Sequence, residues 1–227
     1  YEHPAWQNIT GQVMRPGGLT LTAQALACIP LRPGARVLDL GCGAGATLRY
    51  LGQEQAVTPI GLDISGRLLK TARQNAPGSW FSRAKSEQIP FASESIDIII
   101  SECTLSLFDS DAALQECARV LKAGSHIIVS DLYARNEAAI PLLRQLPPGT
   151  CIRSAMSQSQ ILEKMKENHL ELTAWQDCSE QLKNFPLCTL TEAAQADPFD
   201  LFIAASKAKL GYYLLIAQKP FAAAKPA

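Results

Sequence analysis

Residues 36–54, RVLDLGCGAGATLRYLGQE, constrain the fold more than any other stretch of the chain. An apolar run reads as a strand over 36–41, glycines follow at alternate positions, and a helical pattern continues over 45–54. Strand, glycine turn and helix in that order open a β–α–β unit, which commits the chain to a parallel sheet with right-handed crossovers. The alternation goes on. VTPIGLD (57–63) reads as the second strand, with Pro59 an awkward member because proline cannot donate to a ladder. A helix follows from Ser65, whose hydroxyl can cap it, to about Asn75, closed by Pro77 and Gly78. Further strands are expected at 79–84, 95–101 and 126–133, with a helix from Asp109 or Ser110 to Lys122 that Gly124 stops. SIDIIIS (95–101) is almost continuously apolar, as a strand covered on both faces should be.

Past Tyr133 the rhythm breaks into a Pro-interrupted stretch. A helix is expected over 157–169, a strand at LELTAWQDC, amphipathic helical character over 179–209 and a last strand at LGYYLLIAQKP. Another helix is expected from about Thr20. The pattern predicts an α/β, Rossmann-like, doubly wound and mostly parallel seven-stranded sheet, with helices on both faces and an antiparallel last strand. Residues 1–227 are expected to form a single domain: an N-terminal flap and helix over 1–30, a ligand-binding core over 31–133, a variable substrate-side region with strand six over 134–209, and the last strand over 210–219.

Lys plus Arg and Asp plus Glu balance at 21 each, which argues against a nucleic-acid partner held through phosphates and against a polybasic membrane anchor. The apolar runs, IDIII and YYLLIA among them, are too short to span a bilayer, so no membrane insertion is expected. The opening YEHPAWQN has neither an initiator methionine nor the basic start and apolar core of a signal peptide. Seven scattered cysteines without a C-x-x-C suit reduced thiols, and hence a cytoplasmic protein without a structural zinc. The oligomeric state stays unknown at this stage.

GCGAGA fits G-x-G-x-x-A, and Asp63 follows at the distance suited to a ribose, so a dinucleotide-dependent oxidoreductase is one reading. Asp39, two residues before the first glycine, opposes it. A carboxylate beside a pyrophosphate would cost about 1–4 kcal/mol in a partly shielded site. The same carboxylate suits a cationic ligand without phosphate, and S-adenosylmethionine (SAM) is such a ligand. Asp39 would attract its amino-acid end, Asp63 would accept from the ribose diol, and Ile64 would pack on adenine.

VLDLGCGAG, GLDIS, SEQIPF, IDIIISECTLSLF and ARVLKAGSHIIVSDLY, in that order, resemble the class I SAM-dependent methyltransferases, and most nearly the small-molecule group that includes ubiquinone and menaquinone biosynthesis enzymes. MRPGGLTLTAQAL and SDLY are similar to a bacterial branch of that group. The resemblance covers residues 30–133 and implies SAM as cofactor. It implies that Asp39, Gly41, Cys42 and Gly43 line the methionine end, Asp63 and Ile64 the ribose and adenine, Ser86 and Glu87 the adenine loop, and Glu102 and Cys103 the boundary between cofactor and substrate. One departure stands out: Lys85 occupies a position where the family often carries an acid for the adenine amino group.

Methyl transfer from a sulfonium is an in-line displacement with a neutral leaving group, so the protein chiefly supplies approach geometry and desolvation. A base is needed only where the nucleophile carries a tightly held proton. Glu102, Asp131 and Tyr133 are the catalytic candidates, since they lie near carboxyl ends of strands. His3 and Trp6 would belong to the flap. His126 falls at the opposite edge and His169 at a helix end. Cys103, Cys151, Cys178 and Cys188 could gather round a soft metalloid, but free cysteines are more commonly small buried hydrophobes, and no metal site is expected. A SAM-binding protein without turnover is the remaining alternative.

Overall fold

The computed structural model describes residues 15–148, 150–184 and 197–221. His3, Trp6 and Cys188 therefore lie outside the described residues, as does most of the expected flap. The elements in chain order are α1 (Gly18–Ala27), β1 (Arg36–Leu40), α2 (Ala46–Glu54), β2 (Thr58–Asp63), α3 (Gly66–Asn75), β3 (Trp80–Arg83), β4 (Ile96–Glu102), α4 (Ser110–Val120), β5 (Leu121–Ala134), a short α5 (Ile140–Leu143), β6 (Met156–Ser157), α6 (Gln158–Glu167), β7 (Glu171–Asp177), α7 (Pro198–Lys207) and β8 (Leu210–Gln218). Single 3-10 turns occupy Leu105–Leu107, Glu137–Ala139 and Ser179–Asn184.

The strands lie in the order β3-β2-β1-β4-β5-β8-β7, the seven-strand path expected, and among the described residues the two-residue β6 adds an eighth beside the end of β5. β8 pairs antiparallel with both β5 and β7, so the expected reversal of the last strand is present. Order reverses between β1 and β4, the place where open α/β sheets bind ligands at their carboxyl ends.

Helices cover both faces because the strand residues alternate between two apolar clusters. Val37, Ile98, Ile100, Ile128 and Leu132 join residues of α1, α5 and α7 on one face. Leu38, Leu40, Ile99, Ile127 and Val129 join residues of α4 and α6 on the other. Period-two alternation inside runs that are apolar throughout is what a doubly covered sheet requires.

The expected caps form. Ser65 Oγ accepts from Leu68 N, Asp109 Oδ1 accepts from Ala112 N, and Ser157 with Gln160 makes a capping box. Pro59 is accommodated because Thr58 N donates toward β1, at Ala35 O, which turns the next nitrogen toward β3, where pairing begins only at Ile60. Gly124 corrects an expectation. It does not stop α4, which ends at Val120. It sits at φ +76° inside β5, where the register jumps from Ile96↔Leu121 to Ile98↔His126. Gly124 N donates to Lys219 O and Gln218 Nε2 donates to Gly124 O, so the kink is tied to the end of β8. Of the expected helical stretch over 179–209, the described part comprises a 3-10 turn and α7.

Candidate active site

Alternation along the strands decides which acids meet. Asp39 follows Val37 by two residues, and Glu102 follows Ile98 and Ile100, so both acids fall on the face that α1 and α2 cover, at the carboxyl ends of β1 and β4. Asp63 ends β2 next to them. These three acids, the loop Gly41–Cys42–Gly43, Ile64, residues 83–87 and residues 103–104 and 107–108 line one cavity of about 570 Å³, a size ordinary for a small-molecule site.

The acids differ in how they are held. Asp63 Oδ2 accepts from Gly43 N at 2.9 Å and Oδ1 accepts from Ser65 N at 2.8 Å, which ties the glycine loop to the start of α3. A carboxylate offers about four acceptor positions, so two remain for a diol. Glu102 accepts from Thr22 Oγ1 at 2.6 Å and from Thr47 Oγ1 at 2.8 Å, and lies 2.9 Å from Arg15 Nη2. Asp39 is 4% exposed. Burial above all, then the charges of Glu102 and Asp63, push its pKa up to about 8 against the opposing pull of Arg15. Three acids and one buried arginine leave this end of the cavity suited to a cation.

Gly41 lines the cavity and has a further use beside the one its motif implies. Its φ is +79°, and a Cβ placed there would stand 2.6 Å from Thr104 Cγ2. Thr104 is seated on the loop by its hydroxyl, which donates to Leu40 O at 2.8 Å and lies 2.9 Å from Ser101 Oγ. The preceding Cys103 adopts φ +55° and places its Sγ 3.3 Å from the Tyr212 hydroxyl, which donates to Ser130 Oγ at 3.0 Å. Burial holds the Cys103 thiol well above its usual pKa, so it stays neutral.

At the far end of the cavity Ile64 is 60% exposed, an apolar side chain without cover beside Asp63. Ser86 is buried, and Glu87 accepts from Asp109 N at 3.0 Å, anchoring the loop after β3 to the start of α4. Lys85 lines the cavity on the same loop.

Asp131 and Tyr133 are not among the cavity-lining residues. Glu102 pairs with Ser130, so the next residue, Asp131, points to the opposite face. There it is 1% exposed, accepting from Ser106 N, Ser106 Oγ and Leu132 N. Burial raises its pKa to about 6 against these bonds. Tyr133 meets Trp175 and Tyr213 edge-on within the same layer. Their placement removes the expected base and hydroxyl from the cavity wall and makes Asp131 a brace for the turn at 105–107. Asp131→Asn is expected to cost about 1–3 kcal/mol, because either amide orientation sets an NH₂ against a backbone N–H. The urea midpoint should fall, while affinity for S-adenosylhomocysteine stays within about twofold.

Arg15, Thr22 and Thr47 were not singled out from the sequence, since no motif marks them. Cys151 and Cys178 are buried in the apolar cluster, and among the described residues no group of three His, Cys, Asp or Glu side chains is arranged to hold a metal ion. His126 sits at the amino end of the parallel part of β5, away from the cavity.

The switch-point cavity of this α/β sheet sets Asp39, Asp63 and Glu102 beside a glycine loop, an arrangement that disfavours a pyrophosphate and suits a cationic ligand. Comparison with known proteins agrees. Residues 38–129 match the methyltransferase domain family. The chain is 28% identical to Methyltransferase GfsG of Streptomyces halstedii, over 89% of this chain and 81% of that protein. It is 35% identical to the malonyl-[acyl-carrier protein] O-methyltransferase of Enterobacter lignolyticus (strain SCF1), over 53% of this chain and 47% of that one, so it spans about half of that relative's length. Its fold is similar to that of the [4+2]-cyclase SpnF, with a TM-score of 0.71 at 21% identity over 96% of this chain and 87% of that one. It is also similar to Haemonchus contortus phosphoethanolamine N-methyltransferase 2, crystallised with phosphomonomethylethanolamine and S-adenosylhomocysteine, with a TM-score of 0.70 at 19% identity over 95% and 56%. Residues 38–129 thus match a methyltransferase domain, and the chain shares its fold with solved methyltransferases. The oxidoreductase alternative has no support. None of these relatives is named as a ubiquinone or menaquinone enzyme, so that subgroup gains none either.

Proposed function

We propose that this cavity methylates a largely apolar small molecule that brings its own nucleophile, with the protein acting through placement and exclusion of water. The observation that carries this reading is the joint position of Asp39, Asp63 and the exposed Ile64 in one cavity. Asp39 would face the ammonium of the amino-acid end, Gly41, Cys42 and Gly43 would run along it, and Asp63 would take the ribose diol. Ile64, with the loop of Ser86 and Glu87, would cover adenine. SAM supplies a methyl group on a sulfonium, activated before it binds. Cys103, Leu107 and Phe108 give the remaining wall an apolar character suited to the acceptor. Glu102 is fully engaged by two threonines and an arginine, and in this reading it holds the site together and takes no proton. An acceptor with an already nucleophilic atom needs no base.

The continuous sheet supports reading the chain as one domain. Free cysteines fit a reducing cytoplasm, and among the described residues no helix is long and apolar enough to cross a membrane. The test is titration calorimetry with S-adenosylhomocysteine, followed by methyl transfer from labelled SAM to fractionated bacterial metabolites. Binding at micromolar concentration with label appearing in a nonpolar fraction is the expected result. Absence of binding defeats the site assignment. Binding without transfer across many extracts favours a protein that keeps the cofactor but not the reaction.

A further inference from the structure

Two arginines cross over the stretch of chain that joins α5 to β6. Arg144, just past α5, donates from Nη1 to Arg153 O and from Nη2 to Ala155 O at 3.2 Å. Arg153 donates back, from Nη1 to Leu146 O. Backbone carbonyls thus fix the direction of both guanidiniums, and neither has a carboxylate partner among the described residues. Burial, and then the charge of Arg153, lower the pKa of Arg144. Two like charges held together repel, and an anion between them relieves the repulsion. Donors remain for one. A guanidinium carries five N–H groups. Arg144 Nε, Arg153 Nε and Arg153 Nη2 have no partner among the described residues, and none of them is buried, so they reach solvent.

The pair stands on the edge of the sheet where the cavity lies. β6 begins at Met156, just after Arg153, and pairs with Tyr133 and Ala134, beyond the carboxyl end of β4. Leu143, Leu146 and Ile152 share one apolar cluster with Cys103 and Leu107, which line the cavity. Arg144 and Arg153 do not line the cavity themselves. That separation has a chemical use. Asp39, Asp63 and Glu102 make the cavity hostile to an anion, so an acceptor with an acidic group must keep that group outside. A planar guanidinium fork matches the oxygens of a carboxylate or a phosphate, and two forks with fixed directions match them better than mobile lysines would.

We propose that Arg144 and Arg153 form an oxyanion subsite outside the cavity, and that the acceptor is an otherwise apolar molecule whose single carboxylate or phosphate docks there while its nucleophile enters past Cys103. The inference rests on the methyl-transfer reading given above. The acidic group holds the far end of the acceptor, and the cavity's acids repel it from the methyl donor's seat, so the acceptor enters in one orientation.

The first arm of the experiment uses inorganic phosphate as probe on the full chain, with ionic strength held constant by chloride. Thermal melts of the wild type should show a saturable rise in Tm with phosphate. Arg144→Gln and Arg153→Gln should each weaken phosphate binding about tenfold or more, the range of a charge-assisted hydrogen bond, and Arg153→Lys should keep part of it. Both arginines also hold carbonyls, so a reading free of variants accompanies these: phosphate should shield Arg144 and Arg153 of the wild type from phenylglyoxal, read by peptide mass. The second arm follows label from SAM into bacterial metabolites. Label is expected in the nonpolar fraction of an acidified extract, in a product that an anion exchanger retains at about pH 8, and phosphate should inhibit its formation. No binding of phosphate, or binding that leaves both arginines reactive, overturns the subsite. Phosphate bound at the pair with label only in neutral products, formed equally well in its presence, overturns the acceptor assignment and leaves a site for free phosphate. Phosphate bound at the pair by a protein that takes up no S-adenosylhomocysteine defeats the methyl-transfer reading instead, a pattern distinct from the others.

Discussion

Asp39→Asn is expected to weaken binding of S-adenosylhomocysteine by about 100-fold at pH 8 while making the unliganded protein more stable. The two effects have one origin. The Asp39 pKa stands at about 8 because burial and the neighbouring acids penalise its charge. A group whose folded pKa lies above its unfolded value of 3.8 stabilises the fold fully below that value and loses the contribution as pH rises through the folded pKa. The unliganded protein therefore loses stability between about pH 4 and pH 8, and above that it carries the whole cost of a buried carboxylate. Asparagine removes that cost. Allowing for water entering the cavity, the gain at pH 9 should be about 1–3 kcal/mol, a rise of about 2–10 °C in Tm, and it should shrink toward zero near pH 4. Ligand binding runs the other way. An ammonium against Asp39 favours the carboxylate, so binding releases a proton below pH 8, and affinity in the wild type should climb from pH 6 toward pH 8. Thermal melts across pH and calorimetry in buffers of different ionisation enthalpy read both effects. A flat affinity profile in the wild type would remove Asp39 from the ammonium.

Gly41→Ala is expected to destabilise the protein by about 2–5 kcal/mol, the sum of a left-handed backbone and an overpacked contact. The backbone already stands at φ +79°, and the new methyl would press on Thr104 Cγ2 at 2.6 Å. Tm should fall by about 5–15 °C. Thr104→Ser removes the nearest atom but keeps the hydroxyl that bonds Leu40 O, so the double variant should recover part of the loss. A double variant no more stable than Gly41→Ala alone would assign the cost to the backbone and not to the contact. S-adenosylhomocysteine affinity should fall in the single variant, because Thr104 and the glycine loop share the cavity wall.

Much of this was legible from residue order. The β–α rhythm up to Tyr133 needs only local signals: Ser65, Asp109 and Ser157 cap helices where their spacing says they should, and a polar residue ends each apolar run. Asp39 was readable because its charge conflicts with the phosphate that the glycine pattern would otherwise suggest, and Asp63 because it ends the second strand at the distance suited to a ribose. What escaped depends on contacts between distant parts of the chain. Arg15, Thr22 and Thr47 belong to unremarkable helix starts, and only the packing of α1 and α2 over β4 brings them to Glu102. Gly124 looks like a helix stop because nothing nearby shows that Lys219 and Gln218 will bind the kink. Asp131 and Tyr133 mislead for an instructive reason. Nearness to the carboxyl end of a strand was treated as sufficient, but the side chain must also fall on the right face, and the register Glu102↔Ser130 sends Asp131 to the other.

The seat of Thr104 on Gly41 couples two tasks that an enzyme of this kind must keep in step. In the proposed reading residues 103–108 would shape the room for the acceptor, yet their first turn rests on the glycine loop that would grip the methyl donor. Changes that refit this turn for a new acceptor will also retune the grip on the donor, so evolution of one preference drags the other along. Engineered variants with altered acceptor range should accordingly be screened at several donor concentrations, since improvement in one can be hidden by loss in the other.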